Sequence, residues 1–423
     1  MIAAAVGVHV VFWLSLSYGF LDPLFNDATH RLPRGLDFYA VYQKSHEFSE
    51  GQSLYTRIDT EQLVVPYSAP YFRYLPTWAW FMANTFCRLA PAPAYWLWVA
   101  CCEAMLLVCL GLFLARAPSL RDRAWMAVFW LCFTPYYLEL FMGQFTFMTA
   151  GLLTLSWLAL DRRREWTGAL WLTLSICLKH VGLVLLPPLL ALRRWKAASL
   201  AVAVPALLST LYFAANPAEL RLFLDVFAYG TPNPFHAGNL GLVALIGNIL
   251  RLAGRGPADP LAAIVLKAAP AAVLLWLGQL TWRHRRAENL LPLLMLWLTS
   301  YFLLGPDVYE HHYVLLLPVF AWAWLMRPSK VLVVLYLWLA LPTVFALVDL
   351  PGLPRQRFLE VENLWWRDGH HARIFVYHLW KITPAIVLFA WIPRLFVSGS
   401  GRSLRHSHSG SGSIPSPSAR RSK

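Results

Sequence analysis

The sequence predicts an all-α, polytopic integral membrane protein, and its composition, its apolar runs and the placement of its charges all indicate this class. Of the 423 residues, 58% are hydrophobic and only 14% are charged, whereas about 25% of the residues in an average soluble protein are charged. The apolar residues form repeated runs of roughly 16 to 22, close to the length that crosses a hydrocarbon core of roughly 30 Å. These runs are apolar on all sides, and their repetition excludes burial in an ordinary soluble core. Examples are the runs 2–21, 94–115, 124–142, 145–160, 261–280 and 331–348.

The net charge of +14 does not indicate a nucleic-acid-binding protein, because the basic residues lie in clusters between apolar runs rather than on one soluble face. The six cysteines lie within or at the edge of apolar segments and form no C-x-x-C pair, so we interpret them as small hydrophobic residues. The first apolar run has no basic segment before it and no convincing cleavage site. We therefore expect it to be a retained first span rather than a removed signal peptide.

The distribution of charge predicts the orientation of the chain in the membrane. Segments rich in Lys and Arg remain cytoplasmic, and the acid-rich connections between them therefore face outward. The basic segments are Arg116 to Arg123, Arg162 to Arg164, Arg193 to Lys196, Arg283 to Arg286, Arg327 to Lys330, and the chain from Arg394 onward. The outward connections are 22–71, 215–258, 305–311 and 349–378, of which the first is the longest.

Two segments conflict with a simple count of crossings. The segment 74–90 is short and polar in places, and a full crossing there would move the basic cluster at Arg116 to the outside. We expect a re-entrant, half-crossing or strongly tilted helix instead. The segment 166–192 has basic clusters at both ends and Lys179-His180 in its middle, which favours two short half-helices. The sequence thus predicts roughly ten full crossings and two partial elements.

The chain divides into a membrane-embedded domain, 1–397, and a tail, 398–423. The tail is rich in Ser, Gly and Pro, is basic, and has no apolar periodicity. We expect it to be disordered in the cytoplasm, close to anionic lipid.

Charged residues within apolar segments are costly and therefore require a partner or a function. Lys179-His180 is the clearest case. A snorkelling or ion-paired lysine is one interpretation, and a cation near the outer interface that binds an anion such as a lipid phosphate is the favoured one. Four further residues of this kind are interpreted as structural, pairing with another span: Glu103, Glu139, Lys267 and His9.

The long first loop places an acid beside aromatic residues. Asp37 is followed by Phe38 and Tyr39. Aromatic faces stack on sugar rings, and a carboxylate can accept the proton of an attacking hydroxyl. This pattern suits sugar chemistry but is weak alone, and a structural role for Asp37 stays open at this point.

An ordered series of such short motifs resembles glycosyltransferase family 87, whose members are membrane mannosyltransferases of the GT-C class that use polyprenyl-phosphate sugars. The series covers about 36–317. Its parts are Asp37-Phe38-Tyr39-x-x-Tyr42, Gly51-x-x-Leu54-Tyr55, Phe72-x-Tyr74-x-Pro76, Gly143-Gln144, Gly168, Leu178-Lys179 and His312-Tyr313. The chain departs from the family where Leu75 replaces a proline, where Thr146 replaces an asparagine, and where no proline follows Lys179. The identity of the sugar, mannose or another hexose, therefore stays open.

The resemblance implies a GT-C-like bundle of about 10–12 transmembrane helices and an inverting transfer of a hexose, most simply mannose, from a polyprenyl-phosphate donor. It implies Asp37 as the catalytic base on the acceptor hydroxyl. Contacts to the donor phosphate or to the substrates are expected from Lys179, His180, His311, His312, Arg73, Tyr39, Tyr42, Tyr74 and Gln144. The expected partners are the lipid-linked donor, a glycolipid or glycan acceptor and the bilayer, with no nucleic acid. The expected location is a bacterial plasma membrane with the site facing outward.

A metal site at His311-His312 is a further possibility, because Asp307 and Glu310 are near in the sequence. Adjacent residues on a helix point about 100° apart and rarely bind one ion together. We therefore expect no metal and no cofactor. The sequence also contains no G-x-G-x-x-G or Walker motif for a nucleotide.

Two other functions compete with this prediction. A lipid or glycan transporter would share the many spans and buried charges, but broken helices should then occur in corresponding halves of the chain. Here the polar features concentrate in one early loop and one late turn. A polysaccharide polymerase or ligase is expected to carry its largest outer loop late in the chain, whereas here that loop follows the first span.

Overall fold

The computed structural model of the chain describes residues 1–21, 34–59, 61–68, 72–229, 239–256, 258–341 and 371–396. Within these ranges the regular structure is helical and contains no strand. The all-α prediction is thereby confirmed. The predicted tail, 398–423, and much of the last outer connection lie outside the described residues.

The helices follow one another along the chain with short connections. They are α1 (Ile2–Tyr18), α2 (Leu36–Ser49), α3 (Pro76–Asn84), α4 (Pro91–Leu114), α5 (Leu120–Leu131), α6 (Thr134–Met142), α7 (Thr146–Asp161), α8 (Glu165–Leu178), α9 (Leu186–Ala191), α10 (Trp195–Ala215), α11 (Pro217–Tyr229), α12 (Leu242–Leu252), α13 (Pro260–Arg283), α14 (Leu290–Leu304), α15 (Leu317–Met326), α16 (Lys330–Ala340) and α17 (His371–Trp391). Short 3₁₀ helices at Phe86–Arg88, His180–Leu185, Ala287–Asn289, Glu310–Leu316 and Ile392–Leu395 join some of them.

By length and composition, 5 helical segments are able to cross a membrane. These are Pro91–Leu114, Leu120–Met142, Trp195–Ala215, Pro260–Arg283 and Ala287–Leu304. Shorter apolar helices occur at Ile2–Tyr18, Thr146–Asp161, His180–Ala191, Leu242–Leu252 and Lys330–Ala340. The chain is therefore a multi-pass membrane protein.

The centre of the bundle is formed by α7, α14 and α15, whose large side chains are fully enclosed. Trp157, Met295 and Phe320 are each 0% exposed. Helices α10 and α13 instead present large apolar side chains outward, with Leu211 59% and Leu275 76% exposed. Such surfaces are stable only against lipid, so these two helices belong to the periphery of the bundle.

Both unusual segments behave as predicted. Helix α3 has 9 residues, which at about 1.5 Å per residue reach only about 14 Å, too short to cross the membrane. Helix α8 ends at Leu178, Lys179 is extended with φ −153° and ψ 128°, and a new helical segment begins at His180. The segment 166–192 therefore consists of two half-helices with Lys179 at the break.

Two of the four residues interpreted as structural, Glu103 and His9, do pair with other spans. Glu103 on α4 accepts a hydrogen bond from the Tyr136 hydroxyl on α6 at 2.9 Å and lies 2.9 Å from His9 Nε2 on α1. The interpretation of Glu103 and His9 is thereby confirmed. Lys267 is exposed on α13.

Buried polar side chains fix the first outer loop on the bundle. The Gln43 side chain donates to Glu47 at 2.9 Å and accepts from the Val64 backbone N–H at 2.9 Å. Glu219, in the first turn of α11, accepts from the Leu54 backbone N–H at 3.1 Å. Gln43 therefore fixes the part of the loop near Val64 to α2, and Glu219 fixes the part near Leu54 to α11.

Candidate active site

Asp37 lies in the first turn of α2, directly after a sharp change of chain direction. Gly35 precedes the helix with φ +77°, a conformation that favours glycine. The Gln144 side chain hydrogen-bonds the Asp37 carboxyl group. The carboxylate oxygen Oδ2 is buried and has no hydrogen-bond partner within the described part of the chain. One oxygen of Asp37 is therefore held in place, and the other is available to a substrate.

A second left-handed glycine brings Gln144 to Asp37. Gly143, with φ +67°, ends α6, and a Cβ atom at this position would lie 2.6 Å from Phe38 Cβ. The Gly35 backbone N–H also donates to the Phe141 carbonyl at 2.7 Å. The start of α2 and the α6–α7 turn thus touch backbone to backbone, which only glycine permits. This contact is the reason why two motifs far apart in the sequence meet.

Replacing Gly143 with alanine is expected to damage both the fold and the site. The new methyl group meets the strain of the positive φ, about 1 kcal/mol, and overlaps Phe38, which adds about 1–3 kcal/mol. Gly51→Ala is the matched control, because Gly51 has φ +82° but nothing within 4 Å of an added Cβ. Thermal unfolding should show a clearly larger decrease in Tm for Gly143→Ala. Equal decreases would contradict the proposed close contact.

Lys179 extends from the break after α8 into the same region. Its Nζ donates to Thr146 Oγ1 at 2.8 Å, lies 3.1 Å from His312 Nε2, and lies 3.5 Å from Gln144 Oε1. These three partners are neutral groups, while the carboxylates of Asp37 and Glu139 act on Lys179 electrostatically. Gln144 therefore bridges Asp37 and Lys179.

A backbone hydrogen bond indicates which nitrogen of His312 carries the proton. The backbone N–H of Tyr309 donates to His312 Nδ1 at 3.2 Å, so Nδ1 must be an acceptor and the neutral ring carries its proton on Nε2. The Tyr301 hydroxyl lies 3.1 Å from the same Nδ1. Nε2–H and the Lys179 ammonium group are then both donors, only 3.1 Å apart. Two adjacent donors without an acceptor between them can both donate to one anionic oxygen.

His311 and His180 surround this pair of donors. The His311 ring is buried, packs at 5.8 Å against Tyr309 in a stacked arrangement, and meets the His312 ring edge-on at 4.4 Å. Its Nε2 is buried and has no hydrogen-bond partner among the described residues. His180 follows Lys179 directly and is exposed. Within the ranges that the structure describes, no group of three His, Cys, Asp or Glu side chains is placed to bind a metal ion.

Glu139 is a member of this cluster that the sequence interpretation treated only as a structural residue. Its Oε1 accepts the backbone N–H of Phe147 at 2.6 Å and also that of Thr146, at the start of α7. Its own carbonyl accepts the Gln144 backbone N–H at 3.0 Å. Glu139 therefore orients the turn that carries Gln144 and Thr146. The signal in the sequence was an acid four residues before the glycine that ends a helix.

The remaining predicted site residues divide into two groups. Arg73 is exposed and close enough to act electrostatically on Asp37. The ring of the next residue, Tyr74, packs against that of Phe145, with the ring centres 5.3 Å apart. Tyr39 and Tyr42 are buried in packing contacts: the Tyr39 ring is 5.4 Å from that of Tyr67, and the Tyr42 hydroxyl donates to the Leu89 carbonyl at 2.7 Å. The structure thus joins Asp37, Gln144, Lys179 and His312 in one network. Substrate contacts by these four residues and by the others stay predictions.

The protonation of Asp37 suits a base that operates near neutral pH. Burial raises the pKa of Asp37 from 3.8 to about 6, against the opposing effects of the Gln144 hydrogen bond and the positive charges of Lys179 and Arg73. A carboxylate with this pKa is ionised at pH 7 and is a stronger base than an exposed aspartate.

Comparison with known proteins identifies one family. The model of glycosyltransferase family 87 matches residues 72–306, which is more than half of the chain. The matched stretch contains Gln144 and Lys179, and Asp37 and His312 join them through the fold. No match to a curated protein was found.

Proposed function

Since the chain belongs to glycosyltransferase family 87 and is a membrane glycosyltransferase, we propose that it transfers a hexose, most simply mannose, from a polyprenyl phosphate to an acceptor hydroxyl. The transfer is a single displacement that inverts the anomeric centre. Asp37 is the catalytic base, and Lys179 and His312 bind the donor phosphate. A lipid-linked donor places its tail in the bilayer and its phosphate at the interface, which suits a site between membrane helices.

The observation that carries this proposal is a pair of neighbouring donors near the carboxylate of Asp37, one oxygen of which has no hydrogen-bond partner among the described residues. Lys179 Nζ and His312 Nε2 lie 3.1 Å apart, and Gln144 links Lys179 to Asp37. A phosphate oxygen between the two donors would satisfy both. The sugar attached to this phosphate would then face Asp37, with the acceptor hydroxyl on the far side of the anomeric carbon.

The reaction follows from these positions. The acceptor oxygen forms a bond to the anomeric carbon while Asp37 accepts its proton. The bond between the anomeric carbon and the phosphate oxygen breaks, and its electron pair leaves with the phosphate. Charge grows on that phosphate in the transition state, where Lys179 and the His312 N–H stabilise it. The products are the glycosylated acceptor and the polyprenyl phosphate.

The proposal places the site on the outer face of a bacterial plasma membrane and requires neither a nucleotide nor a metal ion. The orientation is supported by the basic clusters, which the positive-inside rule assigns to the cytoplasm. The acceptor is a glycolipid or glycan with an available hydroxyl.

The pH dependence of transfer should report the ionisation of Asp37. The base must be ionised, and its pKa is raised to about 6. We therefore expect kcat/KM to be constant above about pH 7 and to fall about tenfold for each unit below pH 6, since this parameter reports the free enzyme. Initial rates between pH 4.5 and 8 check this. A profile that stays flat down to pH 4.5 would show that no group with this pKa is needed.

A transfer assay with purified protein tests the proposed function. Polyprenyl-phosphate mannose, polyprenyl-phosphate glucose and a nucleotide sugar are compared as donors, with a lipid extract as acceptor and mass spectrometry as the readout. We expect a hexose to be added from a polyprenyl-phosphate donor only. Transfer from the nucleotide sugar, or movement of the lipid across vesicles without transfer, would overturn the proposal.

A further inference from the structure

Two turns on the side away from Asp37 contain arginines in a left-handed backbone conformation. Arg163, between α7 and α8, has φ 58°, and Arg193, between α9 and α10, has φ 57°. Among the described residues these are the two non-glycine positions with positive φ. Both turns carry further basic residues next to these arginines.

The two turns share one hydrogen-bond pattern. The Arg163 N–H donates to the Leu160 carbonyl at 3.0 Å, and the Arg193 N–H donates to the Leu190 carbonyl at 3.0 Å. Glycine is the usual residue at such a helix end, because an L side chain costs about 1 kcal/mol or more there. Arginine at both positions therefore lowers the stability of the turns. The presence of arginine at both of these unfavourable positions points to a role for the side chain outside the fold.

The turns lie side by side and form one surface. Glu165 at the start of α8 forms a salt bridge with Arg194, and Lys196 Nζ lies 5.6 Å from the Trp166 ring. We call this surface the basic turn surface. Its exposed members are Arg162, Arg163, Arg164, Trp166, Arg193, Trp195 and Lys196.

The basic turn surface lies at the opposite membrane face from the candidate active site. Helix α7 begins at Thr146, beside Lys179, and ends at Asp161; helix α8 returns from Glu165 to the break at Lys179. With 16 and 14 residues, the two helices span about 24 and 21 Å at 1.5 Å per residue. The positive-inside rule assigns this face to the cytoplasm.

We propose that the basic turn surface binds anionic phospholipid headgroups of the cytoplasmic leaflet. Guanidinium groups bind phosphate with paired hydrogen bonds, and this leaflet carries the anionic lipids. Trp166 and Trp195 are 63% and 57% exposed, and exposed indoles favour the level of the headgroups. The two turns contain six basic residues against two acids, Asp161 and Glu165, of which Glu165 is paired with Arg194, so the surface keeps an excess of positive charge.

The test uses a variant that removes charge without harming the backbone. Arg163→Gly/Arg193→Gly places glycine where the conformation favours it, so Tm should stay equal or increase. Each basic residue near an anionic surface contributes about fivefold to affinity, so affinity for phosphatidylglycerol should fall about 25-fold. Native mass spectrometry of the full chain in detergent, titrated with phosphatidylglycerol or phosphatidylcholine of the same acyl chains, measures this.

Two further variants serve as controls for the loss of charge. Arg121→Gln/Arg123→Gln removes two exposed arginines of α5 that lie outside the basic turn surface and should weaken binding clearly less than the glycine pair, whereas an equal loss would show a general charge effect. Arg163→Lys/Arg193→Lys keeps the charge and should retain most of the binding. Equal binding of phosphatidylcholine by the wild type would overturn the proposal. Displacement of phosphatidylglycerol by an equal concentration of inorganic phosphate would instead show a phosphate site without lipid specificity.

Discussion

Replacing Asp37 with asparagine is expected to lower kcat for sugar transfer about 10²- to 10⁴-fold, the usual contribution of a positioned general base. Asparagine keeps the shape of the side chain and can still hydrogen-bond Gln144. It cannot accept the proton of the acceptor hydroxyl through the buried Oδ2, which has no partner among the described residues. Donor affinity should change little, because in the proposed site the phosphate contacts Lys179 and His312 rather than Asp37.

The fold should tolerate this change. Burial raises the pKa of Asp37 to about 6, so the stability that this shift contributes is complete below the usual value of 3.8 and is lost as the pH rises through about 6. At pH 7 the folded protein therefore contains a disfavoured charge, which asparagine removes. We expect an equal or higher Tm at pH 7.

Asp59→Asn is the matched control for this variant. Asp59 is an exposed acid of the same outer loop, and its replacement removes the same charge without touching the site. Its transfer rate should stay within about twofold of the wild type. Similar rates for the Asp37→Asn and Asp59→Asn proteins would exclude Asp37 as the catalytic base.

Replacing Lys179 with glutamine is expected to lower kcat about 10²- to 10³-fold and also to weaken donor binding. Removal of one donor that stabilises developing charge typically has this effect on rate. The ammonium group lies at the break between two half-helices, next to the His312 N–H. Glutamine retains a donor but no charge, so the growing charge on the leaving phosphate loses its main counterion.

The control for Lys179 is Lys267→Gln. Lys267 is exposed on α13, far along the chain and outside the network described above. Kinetics at several donor concentrations separate the effects on kcat and KM. A Lys179→Gln protein with the kcat of the Lys267→Gln protein would show that the lysine only stabilises the break.

The sequence predicted well the segments in which polar residues interrupt an apolar run. The polar pair Lys179-His180 inside an apolar run, with basic clusters at both ends, is incompatible with one crossing helix, and the chain indeed breaks there. The short segment 74–90 likewise contains a helix of only 9 residues. In both cases the cost of placing polar groups in lipid is read directly from the sequence.

The elements that were not predicted depend on tertiary contacts. Gly35 contacts the end of α6, and Gly143 contacts the start of α2. These two parts of the chain are more than a hundred positions apart, and no sequence periodicity reveals that they meet. Glu139 was interpreted as a partner for another span, but its carboxylate accepts backbone N–H groups at the start of α7. Its partners belong to the backbone, which carries no residue-specific signal.

The most direct test of the account is a cryo-EM structure of the Asp37→Asn protein with polyprenyl-phosphate mannose. We expect the donor phosphate to lie between Lys179 Nζ and His312 Nε2, at about 2.7–3.2 Å from each, with the anomeric carbon facing position 37. A donor phosphate bound elsewhere, with Lys179 and His312 still in direct contact, would contradict the assignment of this network as the active site.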